Sequence, residues 1–414
     1  MIRVLLLSFK DSSNFGDQII EACTRNLLTS VLGQLNIKRY VLESEDLSGI
    51  DSESIPSFNI IVFGGGGLIK YERQEFHERI PAIVNIAERH KIPVIFAGVG
   101  VESFDSSDER CIRLKRALNS DCIVQITTRD DLESLKLYIT NEEIKTAKVL
   151  DSALFTKYIY NKEKKANSQR IGLNVVRSSL FRAYGKSWDE DDEVEFWKGV
   201  VSLLEDKGLP YTFFTNGLFS DEMFIRRLQK ELTLDDEQVM FGINDQDMLI
   251  DAISSFRGVI AFRLHASVIS YSLGIPSVGL IWNDKVSFFY KSINYPNRAL
   301  PFSLWKPEEV VAALESALVE GIDSKEGISP SLQDTYESLY EGVKDALQVL
   351  VQYKLISLKT PESSKPDYAQ ALDDLIGSEK KLKPEERYER AALKLNEMGK
   401  HYFRLQQRLS KRKK

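Results

Sequence analysis

Two side chains able to do chemistry stand two residues apart in "AFRLHASVIS": Arg263 and His265. The apolar run "RGVIAF" before them reads as a buried strand, and the pattern after them is helical. A guanidinium fork grips carboxylates and phosphates, and an imidazole near neutral pH gives or takes a proton. Two further cations close predicted strands in the same half of the chain, Arg177 after "GLNVV" and Lys285 after "SVGLIWND". One such cation is ordinarily a solvated surface charge. Three at equivalent ends of one predicted sheet are harder to dismiss, and for His265 the plain alternative is a hydrogen-bonded structural residue.

The first half carries polar and glycine-rich counterparts. "NFGDQII" puts Asn14, Gly16 and Asp17 where the first strand passes into a helix. The plain alternative is an N-cap by Asn14 or Asp17. "GGGGL" follows the next buried strand, and Gly65, Gly66 and Gly67 would bring bare backbone close to an anion or a sugar, or serve close chain packing. No Gly-Lys-Ser/Thr follows, so the run is not a P-loop. "TTRDDLESL" sets Arg129 and Asp130 at another strand end, and Asp151 closes "AKVL"; for each, a capped turn is the plain alternative. Trp282, just before Lys285, is expected to carry no chemistry. His77, His90 and His401 lie in charged helical patterns and are expected at the surface.

These residues need a scaffold of short apolar strands alternating with helices. "IRVLLLSF", "FNIIVFGGGG", "IPVIFAGVG" and "CIVQITTRD" supply one series. After the polar run "EKKANSQ" a second begins, with "RIGLNVVR", "LPYTFFTNG", "EQVMFGIN", "RGVIAFRLH" and "IPSVGLIWNDK". Such alternation implies parallel sheets. The expected fold class is α/β: two Rossmann-like domains, 1–162 and 170–355, facing across a cleft, with ligands beyond the strand ends. A linker and a basic amphipathic helical tail, 356–414, complete the chain.

The 414 residues include 43% hydrophobic and 28% charged, as in a globular protein. From Gly377 onward there are 13 Lys and Arg against 5 Glu, while the preceding residues hold 42 basic against 56 acidic groups. An acidic body argues against nucleic acid as the main ligand. Cys23, Cys111 and Cys122 are scattered, so neither a disulfide framework nor a zinc site is expected, and a reducing cytoplasm fits. The tail sets Tyr388, Leu395, Tyr402 and Leu409 seven apart, flanked by Arg and Lys. A solvated extension, self-association through a coiled-coil-like helix and peripheral contact with an anionic membrane all suit that pattern.

Taken in order, "NFGD", "FGGGGL", "RD" with Ser134, Asp151 and Ala153, "RLHASVISYSLGIPSVGL" and the later Lys285 with Phe288 and Phe289 resemble the polysaccharide pyruvyl transferase family, from about Ile2 to Phe289. Ser152 and Trp282 depart from that pattern, which often has Pro and Tyr there. The resemblance implies a GT-B-like fold and transfer of pyruvate from phosphoenolpyruvate to a sugar as a ketal, with no cofactor and no metal. His265 and Arg263 would be catalytic, and Arg263, Leu264, Arg177 and Lys285 would bind phosphoenolpyruvate. The acceptor, a glycan or lipid-linked saccharide of a cell-surface or exopolysaccharide, would lie near Asn14, Gly16, Asp17, Gly65, Gly66, Gly67 and Arg129. A nucleotide-sugar glycosyltransferase on the same fold and a non-catalytic glycan-binding protein are the alternatives.

Overall fold

Strands rich in Val, Ile and Leu that are apolar on both faces can only be buried between helix layers, and this chain builds two such sheets. The structure, a computed structural model, describes residues 1–9, 14–322, 329–357 and 365–379 and the single positions 386, 392 and 399. In the first sheet lie β1 (Ile2–Ser8), β2 (Tyr40–Asp46), β3 (Ile60–Gly64), β4 (Val94–Val99), β5 (Ile123–Thr128) and β6 (Lys145–Lys148). All are parallel, in the order β2-β1-β3-β4-β5-β6. The second sheet is also parallel. It runs β11-β10-β9-β7-β8, from β7 (Ile171–Asn174), β8 (Tyr211–Phe214), β9 (Gly258–Ala261), β10 (Ser277–Leu280) and β11 (Ala299–Leu300). Two doubly wound sheets of this kind make the GT-B-like arrangement.

Strand order reverses between β1 and β3 in the first sheet and between β7 and β9 in the second. At such a switch point the connections leave to opposite faces and open a crevice beyond the strand ends. Asn14 and the glycine run follow β1 and β3, and Arg177 and His265 follow β7 and β9. Both motif sets therefore stand at the crevices of their sheets.

"EQVMFGIN", expected as a strand, pairs with the second sheet only as a single bridge between Phe213 and Val239. Gly242, at φ 72°, turns the chain away before a ladder can form.

The domains share apolar packing. One buried cluster runs from the helix Phe15–Gln34 through Leu154 and Phe155 to Val268 and Ile269 of the helix Leu264–Ser272. Ser272 ties the seam, its hydroxyl donating to Leu154 O at 2.8 Å and accepting from Lys157 N at 2.9 Å.

The helix Ser329–Gln352, expected with the second domain, packs on the first instead. Tyr336 shares a 2.9 Å hydrogen bond with Ser30, and Gln125 of β5 donates to the Ser338 carbonyl at 3.1 Å. The physical reason lies in its apolar face: Tyr336, Val343, Leu347 and Leu350 complete the open side of the first sheet. The helix Tyr368–Leu375 follows it onto the first helix, and beyond it Glu379 pairs with Arg25 at 2.6 Å. The stripe from Tyr388 to Leu409, and His401, lie outside the described residues.

Candidate active site

Among the helices of nine residues or more that begin at the cleft between the sheets are Phe15–Gln34, Leu264–Ser272 and Asp284–Ser292. Their N-cap residues Asn14, Arg263 and Asn283 make no side-chain capping bond, and all three line the cleft. The positive ends of these helix dipoles thus face one space of about 310 Å³. Lys70, Arg73, Arg129, Arg177, Arg263 and Lys285 add their charges to its wall, against Asp17 and Glu102. Such a wall suits an anion.

His265 sits at its base, 8% exposed, reached from both domains. Its Nε2 is 3.3 Å from Arg129 Nη1 and 3.7 Å from Asp151 Oδ2, and its Nδ1 is 3.9 Å from Asp17 Oδ1. Arg129 in turn is hydrogen-bonded to Asp151. Nε2 thus faces Arg129 and Asp151, and Nδ1 faces Asp17. Burial alone would raise the Asp151 carboxyl, but Arg129, and after it His265, hold it well below the ordinary carboxylate range. Asp130 behind them is raised by burial, an effect that Arg129 and Lys285 only partly offset. Gly16 makes the arrangement possible, since a Cβ there would stand 2.7 Å from the Cβ of His265 and 2.8 Å from its Nδ1.

Arg263 is not the free fork the sequence suggests. Its Nε and Nη2 donate to Asp221 Oδ2 at 3.0 and 2.6 Å, and its backbone amide donates to Asn174 Oδ1 at 3.0 Å. Asp221, fully buried, also accepts from the Arg177 amide at 3.1 Å. One carboxylate therefore sets both arginines and leaves Arg263 Nη1 outside the pair. Lys285 is likewise engaged. It pairs with Glu102, which Lys70 also meets at 2.8 Å. Burial would raise Glu102, but these two lysines bring it down to about 2.

Of the other expected residues, Asn14, Asp17, Gly66, Gly67, Arg129 and Leu264 line the cleft. Asn14 Nδ2 donates to Asp17 at 2.8 Å, and its buried Oδ1 has no partner among the described residues. Gly65, at φ 62°, does not line it. Its amide bonds Ala97 O at 2.9 Å and its face lies under Ile20, so it serves packing. Trp282, expected to carry no chemistry, lines the wall, and so does Tyr184, edge-to-face with it at 5.0 Å. His77 is buried instead of exposed. Sequence reasoning missed Asp221, Glu102 and Lys70. Each is one charged residue among many in its stretch, and nothing local marks it.

A family profile described as polysaccharide pyruvyl transferase matches residues 14–284, from Asn14 to the start of the last of the three helices. The chain belongs to that family. No curated protein matches it. Among solved structures it is similar to UDP-GlcNAc 2-epimerase from Methanocaldococcus jannaschii in complex with UDP-GlcNAc and UDP, at 10% identity and a TM-score of 0.51, covering 83% of this chain and 100% of that one. The UDP-N-acetylglucosamine 2-epimerase from Rickettsia bellii aligns at 13% identity and a TM-score of 0.49, covering 85% of this chain and 98% of that one. At 10% identity the likeness to the Methanocaldococcus jannaschii enzyme shows the fold alone. Among the described residues no three His, Cys, Asp or Glu side chains gather as for a metal ion, and no helix is long and apolar enough to cross a membrane.

Proposed function

We propose that this pyruvyl transferase uses phosphoenolpyruvate as donor and attaches pyruvate to a saccharide as a ketal. The observation that carries the reading is His265, held by Arg129 and Asp151 on one side and facing Asp17 on the other, at the base of a cationic cleft. Phosphoenolpyruvate presents a carboxylate and a phosphate, which suit Arg263, Arg177, Lys285 and the first-turn amides after Arg263. His265 as imidazolium protonates the methylene carbon C3, which leaves C2 electrophilic. One sugar hydroxyl adds at C2 and gives up its proton to the Asp17–His265 pair. The C2–O bond to phosphate then breaks, and the neighbouring hydroxyl closes the ring while its proton leaves with the phosphate. One proton thus ends on the new methyl group and one on phosphate, and no electrons are exchanged. Arg129 and Asp151 do not touch the reacting atoms; they orient the imidazole.

The acceptor is a glycan or a lipid-linked saccharide, met from the side of Asn14 and Asp17. The basic segment after Gly377 suits an anionic membrane surface on which a lipid-linked acceptor would be presented. The deciding experiment offers the purified protein phosphoenolpyruvate or UDP-GlcNAc together with the glycan of gene-deleted cells. Phosphate release from phosphoenolpyruvate, with a pyruvate ketal found by mass spectrometry, is the expected result. Nucleotide release from the UDP sugar instead would replace this reading with a glycosyl transfer.

A further inference from the structure

A second cavity, of about 610 Å³, opens beside the reaction cleft and shares a wall with it. Lys70, Glu102, Tyr184, Trp282, Asn283 and Lys285 line both. The wall crosses the domain seam. Lys70 and Glu102 come from the first domain, Tyr184 and Lys285 from the second, and the Tyr184 hydroxyl lies 3.1 Å from Glu102 and 3.2 Å from Lys70.

The two spaces differ in charge. Six Lys and Arg against two acids surround the first, whereas in the second Lys70, Lys186 and Lys285 are matched by Glu72, Glu102 and Asp284. A balanced lining does not favour a second anion. It offers hydrogen-bond donors and acceptors in equal measure, as a polyol requires. Trp282 and Phe288 contribute aromatic surface on which the C–H face of a sugar can lie. The Trp282 indole is fixed, its Nε1 donating to Phe262 O at 2.6 Å, so its ring is held in place before any ligand arrives. Asn283 faces both spaces, and its buried Oδ1 has no partner among the described residues. Sizes agree as well, since both volumes lie within the ~300–1,000 Å³ usual for small-molecule sites. The smaller cleft has to take the donor and the reacting hydroxyls, which leaves the rest of a saccharide chain outside it.

We infer that the second cavity is a neutral saccharide subsite, holding the sugar units next to the one that is pyruvylated, with Trp282 and Phe288 as its platform. This rests on the pyruvyl-transfer reading. The test uses residues that line only the second cavity, Ser134 and Phe288. Ser134→Trp fills it, Phe288→Ala removes part of its apolar wall, and Ser134→Ala controls for the lost hydroxyl. The full-length proteins are titrated with phosphoenolpyruvate by calorimetry, and phosphate release is followed against increasing glycan purified from gene-deleted cells. Both Ser134→Trp and Phe288→Ala are expected to bind phosphoenolpyruvate within about twofold of wild type. The KM for the glycan is expected to rise at least tenfold in Ser134→Trp and three- to tenfold in Phe288→Ala, with Ser134→Ala close to wild type. If Ser134→Trp does not fold, the Phe288→Ala result decides alone. Unchanged glycan KM in the folded variants overturns the subsite and leaves the donor reading standing. A wild-type protein that neither binds phosphoenolpyruvate nor releases phosphate overturns both.

Discussion

At the scale of single residues, each side chain proposed to meet the ligand is held by a partner. His265 is held by Arg129 and Asp151, and Arg263 by Asp221. His265→Gln keeps hydrogen bonding but removes the titrating ring, and kcat should fall about 10²–10⁴-fold with the fold intact, the range for a lost acid–base group. Steady-state phosphate release, with circular dichroism for folding, checks it; near-wild-type turnover would remove His265 from the mechanism. Asp221→Asn keeps the shape but takes away the charge that sets Arg263. A charge-assisted hydrogen bond contributes roughly 1.5–3 kcal/mol, so the KM for phosphoenolpyruvate should rise about ten- to a hundredfold, with kcat changed less. An equal loss in kcat would mean that Asp221 acts on the transition state as well.

The elements carry these residues because loops at two switch points need little chain to reach across the cleft. What holds the first sheet in place is less local. The helix Ser329–Gln352 returns from the far end of the second domain to cover β4 and β5, and Gly342 marks the closest approach. A Cβ at Gly342 would collide with the Gln125 side-chain amide, itself bonded to Ser338. Gly342→Ala should therefore destabilise by about 1–3 kcal/mol, the usual cost of overpacking, even though alanine favours a helix over glycine. Urea denaturation reads this directly, and a variant more stable than wild type would show that the Gln125 side chain moves aside at no cost.

Across the whole molecule, beside the shared apolar cluster, charges bridge the domains, among them Glu102 with Lys285, with Lys70 on the same carboxylate. Glu102 is lowered from 4.5 to about 2 in the folded protein, so the folded state binds fewer protons than the unfolded state between those values. Stability from this group is then fully present above pH 4.5, falls as pH drops, and is gone below pH 2. At about 1.4 kcal/mol for each unit of pKa, Glu102 accounts for about 3–4 kcal/mol of the stability at pH 7. Urea midpoints measured down the acid side should fall less steeply for Glu102→Gln than for wild type, and parallel curves would count against the bridge. At the chain's end, removing residues after Glu379 keeps the Arg25–Glu379 contact while deleting the basic segment. The shortened protein should retain phosphoenolpyruvate binding and lose sedimentation with anionic vesicles at low salt. Equal sedimentation of both forms would place any membrane contact elsewhere.

Much of this was legible in the sequence. Alternating apolar strands and helices can bury themselves only as parallel sheets, so β1, β3, β4, β5, β7, β9 and β10 and the cleft beyond their ends follow from local pattern. The RLH block and Asn14–Asp17 were legible for the same reason: they sit at strand-to-helix turns, which local pattern marks. Asp221, Glu102, Lys70 and the helix Ser329–Gln352 were not. Asp221 reaches Arg263 from 42 positions away, Gln125 meets Ser338 from 213, and His265 meets Arg129 from 136. Local pattern determines which residues stand at the ends of strands. Which charges neutralise one another there depends on distances across packed elements, and those exist only once the chain has folded.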